Sequence, residues 1–444
     1  MSGRTTQTGK GVYRIIATII DSPPGWGKTT AIIDYINANS DKLFIVVVVY
    51  KKQQDRYQEL LKSASAKPKY INYAHRKLDD LKNLLEQGHK CIVTTHNLFL
   101  DTDMEVVNLI KSREYNLIID EAISCVDIIS TGVSRSEYND FNELENLPIL
   151  TKGEIEWLFA NKMIKVTSGN RIAWTGKPGE DHRYLWVEKM AKVNGLVFIN
   201  DTILIWRFPP IILKNFLSVT ILTYQFERSV LCSYFKAYGI DYELKGLKIQ
   251  GDKYTVTGYN LKTENRKKYL NLINVCNDKA LNAIGEKCGK ENPLSVGWYK
   301  KAGKGKKELL KKLCQNATNY LRHKVNAPRE SVLWTTYRKH KDTLAPIGYK
   351  TVDEAQKIPS FVSCNAKASN DYITRYNLIN LTNIFLNPNI AAFFSQQGIS
   401  VDEEGFAQNE LLQWLFRSRL RELKPINLYL PSERMRRILR EWAE

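Results

Sequence analysis

Ten residues near the start of the chain, Asp21-Ser22-Pro23-Pro24-Gly25-Trp26-Gly27-Lys28-Thr29-Thr30, restrict its fold more than any other stretch. The apolar run 12–20 precedes them, and Ala31-Ile32-Ile33-Asp34-Tyr35-Ile36, with apolar residues at helical spacing, follows. Strand, tight glycine-rich loop and helix is the setting of a phosphate-binding loop. Small residues let backbone N–H groups turn inward towards phosphate oxygens, and the positive end of the following helix faces the same anion. On this reading Ser22, Gly25, Gly27, Lys28, Thr29 and Thr30 line the phosphates, Lys28 reaches the β and γ groups, and the Thr29 hydroxyl holds Mg²⁺. Ser22 stands where the first glycine of G-x-x-x-x-G-K-[ST] is usual; it is small, and Pro23-Pro24 stiffens the turn. A surface turn containing Gly-Lys-Thr would satisfy the same ten residues, so the rest of the chain has to decide.

A loop of this kind sits on a parallel sheet, and the next two hundred residues supply candidates for its strands. The β-branched run 44–50 predicts a strand buried on both faces. Lys51-Lys52 lies at its C-terminal end, where ligand-contacting loops of such sheets fall. A helix is expected over 55–62 with Tyr57, Leu60 and Leu61 on one side, and another over 78–87 closed by Gly88. A short strand, Cys91-Ile92-Val93, ends in Thr94-Thr95-His96. Then Asn116-Leu117-Ile118-Ile119 runs into Asp120-Glu121. An apolar strand emptying into two adjacent carboxylates is the partner a phosphate loop needs: Asp120 to bind Mg²⁺ through water, Glu121 to polarise the attacking water.

From 130 to about 200 the alternation of strand and helix is lost. A helix over 151–161 and a hairpin, 164–167 with 171–174 around Ser168-Gly169-Asn170, read as an insertion in the first domain. Sheet rhythm is expected to resume at 195–199 and 218–224. Between 239 and 327 lies a lysine-rich region whose run Tyr299-Lys300-Lys301-Ala302-Gly303-Lys304-Gly305-Lys306-Lys307 leads into a helix over 308–325. It suits either a flexible phosphate-contacting segment or a solvated charged face. A last α/β unit begins at 331 and includes the strands 331–337 and 426–430. The fold class expected is α/β, two parallel-sheet domains, with domain 1 at 1–235, a lysine-rich connecting or accessory region at 236–330, and domain 2 at 331–444.

Composition limits the partners. Lys plus Arg is 65 against 47 acids, a net charge of +18, which fits a surface that meets polyphosphate. No apolar run approaches the roughly 20 residues needed to span a bilayer, and Met1-Ser2-Gly3-Arg4 begins no secretory h-region, so a cytoplasmic setting, bacterial or host, is expected. Seven cysteines without a C-x-x-C pair fit reduced structural thiols.

Taken in order, these stretches resemble a superfamily 2 helicase, and most closely the compact DEAD/DEAH-type helicases of phages and mobile elements. Residues 22–29 resemble that family's first motif, Asp120-Glu121-Ala122-Ile123 its second, and Leu222-Thr223-Tyr224 its third. Ile123 departs from the acid or histidine that closes D-E-A-D/H. The resemblance implies two RecA-like domains using ATP and Mg²⁺ to move along nucleic acid, DNA in preference to RNA, with replication or recombination proteins as candidate partners. It also implies that Lys51, Lys52, Thr94 and Thr95 in the first domain, and Arg338, Asn365 and Lys367 in the second, grip the backbone of the strand. In the sixth motif, Q-x-x-G-R-x-x-R, Gln413 and Arg417 match, Phe416 replaces the glycine and Leu420 stands at the second arginine. On a helix Gln413, Arg417 and Arg421 share one face at i, i+4 spacing, so Arg417 is expected as the arginine finger and Arg421 as its second. A nucleic-acid-stimulated ATPase without strand separation, a packaging motor or a switch, is the alternative. A packaging motor should carry clustered metal-binding carboxylates near its C-terminus, where only Asp402-Glu403-Glu404 is found.

Overall fold

The computed structural model describes residues 6–8, 12–72, 76–131, 149–177, 183–200, 203–251, 253–287, 289–305, 307–355, 357–365 and 371–444. The chain divides into two compact units. The first comprises Met1–Val133, Leu144–Asn260 and Pro388–Val401, and the second is built on Leu261–Asn387 and Asp402–Glu444.

The apolar run at the start is two strands rather than one. β1 (Thr6–Thr8) and β2 (Val12–Arg14) pair antiparallel, and β3 (Ile16–Asp21) enters the main sheet. The chain then alternates as a parallel sheet requires: α1 (Lys28–Ala38), β4 (Phe44–Val48), α2 (Lys51–Leu60), β5 (Ser65–Ala66), α3 (Lys77–Glu86), β6 (Cys91–Thr95), α4 (His96–Leu100), α5 (Met104–Arg113) and β7 (Asn116–Asp120). β4 is buried at every position, as its unbroken β-branched composition demands of a central strand covered on both faces.

After β7 the chain leaves this sheet. β8 (Val126–Ile128), β11 (Ile164–Thr167), β12 (Arg171–Trp174), β13 (Leu196–Ile199) and β14 (Ile203–Arg207) build a separate antiparallel sheet, while β9 (Ser130–Thr131) pairs with β10 (Leu150–Thr151). The expected hairpin is present, with Thr167 opposite Arg171 and Gly169 at φ 72° in its turn. The strand expected to resume the main sheet at 195–199 instead pairs with β14. The inserted layer thus runs past 200, and its start at β8 precedes 130. The main sheet resumes at β15 (Ser218–Thr223), followed by β16 (Asp241–Gln250) and β17 (Lys253–Gly258). The order across it is β17-β16-β3-β15-β7-β4-β6-β5, parallel throughout except for the antiparallel β16–β17 pair at one edge.

The second unit holds a four-stranded parallel sheet, β18 (Ile273–Val275), β23 (Ile426–Tyr429), β22 (Asn377–Asn380) and β19 (Val332–Thr335) in spatial order; β20 (Thr351–Asp353) and β21 (Ile358–Pro359) form a small hairpin beside it. Its core is aromatic, with Trp334, Tyr299, Tyr320 and Tyr429 buried together.

Two expectations need correction. The boundaries at 235/236 and 330/331 are not where the chain divides. β16 and β17 hydrogen-bond into the first sheet, Leu261 onward belongs to the second unit, and Pro388–Val401 returns to the first. The run at 299–307 is also no flexible segment: Val296–Gly305 and Lys307–Asn319 are helices. Its interleaved Tyr299 is buried in the core and donates its hydroxyl to the Leu381 carbonyl at 2.7 Å, so Tyr299 and Ala302 serve packing while Lys300, Lys301 and Lys307 are exposed.

Candidate functional site

The loop between β3 and α1 takes the shape its glycines allow. Gly25 and Gly27 have φ of 92° and 77°, in the left-handed region that other residues enter at a cost. Gly27 is the N-cap of α1, and a Cβ there would lie 2.0 Å from Tyr254 Cε1, so the aromatic ring from β17 leaves room for hydrogen only. No acidic side chain occupies the first turn of α1 itself, so none of the helix's own residues offsets its positive end. Lys28 starts the helix and folds its ammonium back over the loop, donating to the carbonyls of Ser22 and Pro23, the latter at 3.1 Å. Ser22 is buried where a glycine is usual; its N–H donates to the Thr223 carbonyl at 3.2 Å, and its hydroxyl has no hydrogen-bond partner among the described residues. Thr30, half-buried, follows Thr29 in the first turn of α1.

Sheet order brings the acids to this loop. β15 lies between β3 and β7, with Leu222 in register with Ile20 on one side and Asp120 on the other. Asp120 therefore ends its strand beside α1, and the Thr29 hydroxyl donates to Asp120 Oδ2 at 2.9 Å. The Tyr57 hydroxyl, from α2, donates to the same oxygen at 2.9 Å. Burial raises the Asp120 carboxyl above the usual carboxylate range, against the opposing pull of the Thr29 and Tyr57 hydroxyls and the charges of Lys28 and Arg56. Burial and the facing carboxylate push the Tyr57 phenol well above its ordinary value. Glu121 follows at φ 89°, a left-handed conformation unusual for glutamate, and its N–H donates to the Leu222 carbonyl at 3.1 Å. Backbone strain of this kind concentrates at functional sites.

The segment after β15 is tied to the same place. Both Asp21 carboxylate oxygens accept backbone N–H groups at 2.8 Å, from Gln225 and Phe226. The stretch Leu222-Thr223-Tyr224 thus touches both the phosphate loop and the acid pair through the main chain. Ile123 is buried, filling apolar space where a polar residue closes the D-E-A-D/H pattern.

The other candidates are more dispersed. Lys51 and Lys52 form the exposed first turn of α2. Thr94 is fully buried within β6, so its side chain presents nothing to a strand of nucleic acid, contrary to expectation. Thr95 is half-buried and caps α4, accepting from the Leu98 N–H at 3.5 Å. In the second unit Arg338 is exposed on the turn Arg338–His340, Asn365 accepts from the Ser363 hydroxyl at 2.5 Å, and Lys367 lies outside the described residues. The expected face shared by Gln413, Arg417 and Arg421 does not form, because the helix Glu403–Leu415 stops first. Phe416 is drawn into an aromatic cluster with Tyr269 and Trp442, and the buried Ser418 hydroxyl caps a new turn, Arg419–Glu422, which carries Arg421. Arg417 is itself buried, and its Nε donates to the Gln413 carbonyl at 3.4 Å; the Gln413 amide bonds Asn409 at 3.1 Å.

One set of residues is therefore assembled: Lys28, Thr29, Asp120 and Glu121, together with Tyr57, Tyr254 and Asp21, to which the sequence alone assigns no site role. Tyr57 falls on the apolar side of a helix and carries no local mark of its hydroxyl's role. No group of three or more His, Cys, Asp or Glu among the described residues could hold a metal ion. Mg²⁺ needs no such cage: it keeps several waters and takes one or two protein oxygens beside phosphate. The Thr29 hydroxyl and Asp120 carboxylate, in contact beneath a cationic loop, fit that donor set.

Comparison with known proteins gives three kinds of match. The family of the YonV C-terminal Rossmann-like domain matches residues 267–443. The SPbeta prophage-derived protein YonV of Bacillus subtilis (strain 168) is 30% identical over 442 residues, covering 96% of this chain and 98% of the relative. Among solved structures, an XPD helicase is 10% identical with a TM-score of 0.47, covering 96% of this chain and 95% of that chain. The Xpd4 protein of S. tokodaii is 12% identical with the same score, covering 96% and 94%. Scores and identities this low leave the functional reading to the chain's own residues.

Proposed function

The chain belongs to the YonV family, and from its phosphate loop and acid pair we propose that it is an ATP-hydrolysing motor that moves along, and separates, nucleic-acid strands. The observation that carries this is the 2.9 Å contact between Thr29 and Asp120 directly after a left-handed Gly27 and beside Lys28. A hydroxyl and a carboxylate brought together at the cationic end of a helix suit a phosphate-bound divalent ion better than they suit a structural turn.

In this reading the Ser22–Thr29 loop binds the phosphates through its backbone N–H groups, and Lys28 exchanges its two loop carbonyls for phosphate oxygens. Thr29 and Asp120 hold Mg²⁺, which when bound neutralises charge on the phosphates. Glu121 orients the attacking water and accepts its proton. Arg417 is the candidate arginine finger, and Lys51, Lys52, Thr95, Arg338 and Lys367 are candidate contacts to strand phosphates, which position a strand without reading its bases. DNA is the favoured strand, in keeping with a prophage-derived relative.

The test is ATP turnover and strand displacement on 3′-tailed and 5′-tailed DNA and RNA duplexes, with Lys28→Ala as control. The expected result is nucleic-acid-stimulated turnover with displacement of one polarity, and loss of turnover in the variant with an unchanged far-UV circular dichroism spectrum. Turnover without displacement would leave a nucleic-acid-stimulated ATPase. Full turnover by Lys28→Ala would remove the site.

A further inference from the structure

Tyr57 is completely buried among Ile32, Val46, Val48 and Cys91, a setting in which a phenylalanine ring would pack equally well. A hydroxyl placed there is unfavourable unless it finds a partner, and the partner it finds is Asp120 Oδ2. That oxygen already accepts from Thr29. With two hydroxyls on Oδ2 the carboxylate plane is held. The donor is itself anchored: Gln54 and Tyr57 are the buried residues of α2, and the Gln54 amide, one turn before Tyr57, donates to the Val93 carbonyl at 2.7 Å.

We propose that Tyr57 is a positioning residue for the metal-binding carboxylate, holding Asp120 Oδ2 so that the opposite oxygen is presented to the hydrated divalent ion. The proposal rests on the nucleotide-site reading above. It assigns the phenol no contact with substrate or metal. The hydroxyl acts through Asp120 alone, as hydrogen-bonded partners of metal-binding carboxylates do.

The experiment titrates the full chain with a fluorescent ATP analogue over a Mg²⁺ series and in EDTA, for wild type, Tyr57→Phe, Asp120→Asn and the double variant. Tyr57→Phe retains the ring, and its melting temperature in EDTA checks that the fold is kept. The expected result is an analogue affinity in EDTA equal to wild type and a Mg²⁺ midpoint raised about tenfold or more. In the Asp120→Asn background the same change should shift the midpoint less than about twofold, because the two residues act as one unit. Two results would overturn the assignment: a Tyr57→Phe midpoint equal to wild type, or an equal shift in both backgrounds, which marks a general packing effect. If wild type shows no Mg²⁺-dependent binding of the analogue, the nucleotide reading itself fails and takes this inference with it.

Discussion

Gly27 shows how closely one position can be specified from two directions. Its φ of 77° disfavours any side chain, and the Tyr254 ring occupies the space a Cβ would need. Backbone strain of that type costs about 1–3 kcal/mol, and the collision with the ring adds to it. Gly27→Ala should therefore lower stability to urea by at least that amount and weaken nucleotide binding, while Gly27→Ala with Tyr254→Ala should recover the steric share alone. A Gly27→Ala chain as stable as wild type would contradict the close approach of the ring. Half of this constraint is legible from the sequence. The Gly-Lys-Thr pattern marks the glycine, because backbone approach to phosphate is a local requirement. Tyr254 carries no such mark, since it arrives from an edge strand formed long after the loop in the chain. Tyr57 is hidden in the same way. A buried aromatic on a helix reads as core, and what its hydroxyl touches depends on β7, 63 positions away.

Among the elements, the parallel strands that are long and apolar are evident in the sequence, and the polar one is not. β22 begins and ends with asparagine, so no β-branched run announces it, yet it lies between β19 and β23. Its polarity is satisfied internally except at the Asn380 amide nitrogen, which has no hydrogen-bond partner among the described residues. The Asn377 amide donates to the Ser331 hydroxyl and its carbonyl accepts from Asn427, both at 2.8 Å, while Asn380 caps the Thr382 N–H. The helix at 403–415 fails the opposite way: i, i+4 spacing continues on paper through Arg421, but the aromatic core captures Phe416 and ends it. α2 is the element with the most specific consequence. Its first turn carries Lys51 and Lys52, exposed, and its middle carries Tyr57 on Asp120. If that turn meets strand phosphates, Lys51→Ala with Lys52→Ala should weaken binding of single-stranded oligonucleotides about equally for every sequence and lower the salt slope by about 1 for each lysine removed. An unchanged affinity would move the strand-binding surface elsewhere.

For the whole molecule, the sequence indicates two α/β units but not how the chain is shared between them. Each unit is discontinuous: the first sheet takes its edge hairpin from 241–258, and 388–401 returns to the first unit after the second has begun. Composition changes along the chain suggest linear boundaries, whereas the sheets are closed by hydrogen bonds between distant segments. Net charge, in contrast, is a property the sequence states outright, and +18 is large for a chain with 47 acids. Much of it is displayed: Lys300, Lys301, Lys307, Lys311 and Lys312 are exposed on the paired helices of the second unit. Charge held for polyphosphate has a thermodynamic signature, because each neutralised phosphate releases condensed counterions and affinity falls linearly in the logarithm of salt. If six or more phosphates are neutralised, oligonucleotide affinity should drop on the order of a thousandfold between 50 and 200 mM salt, measured by fluorescence anisotropy at several salt concentrations. A flat response would mean that the surplus charge does not serve nucleic acid. The phosphate loop and acid pair would keep their meaning, since Lys28, Thr29 and Asp120 all lie in the first unit, but the work driven by hydrolysis would have to be sought on another substrate.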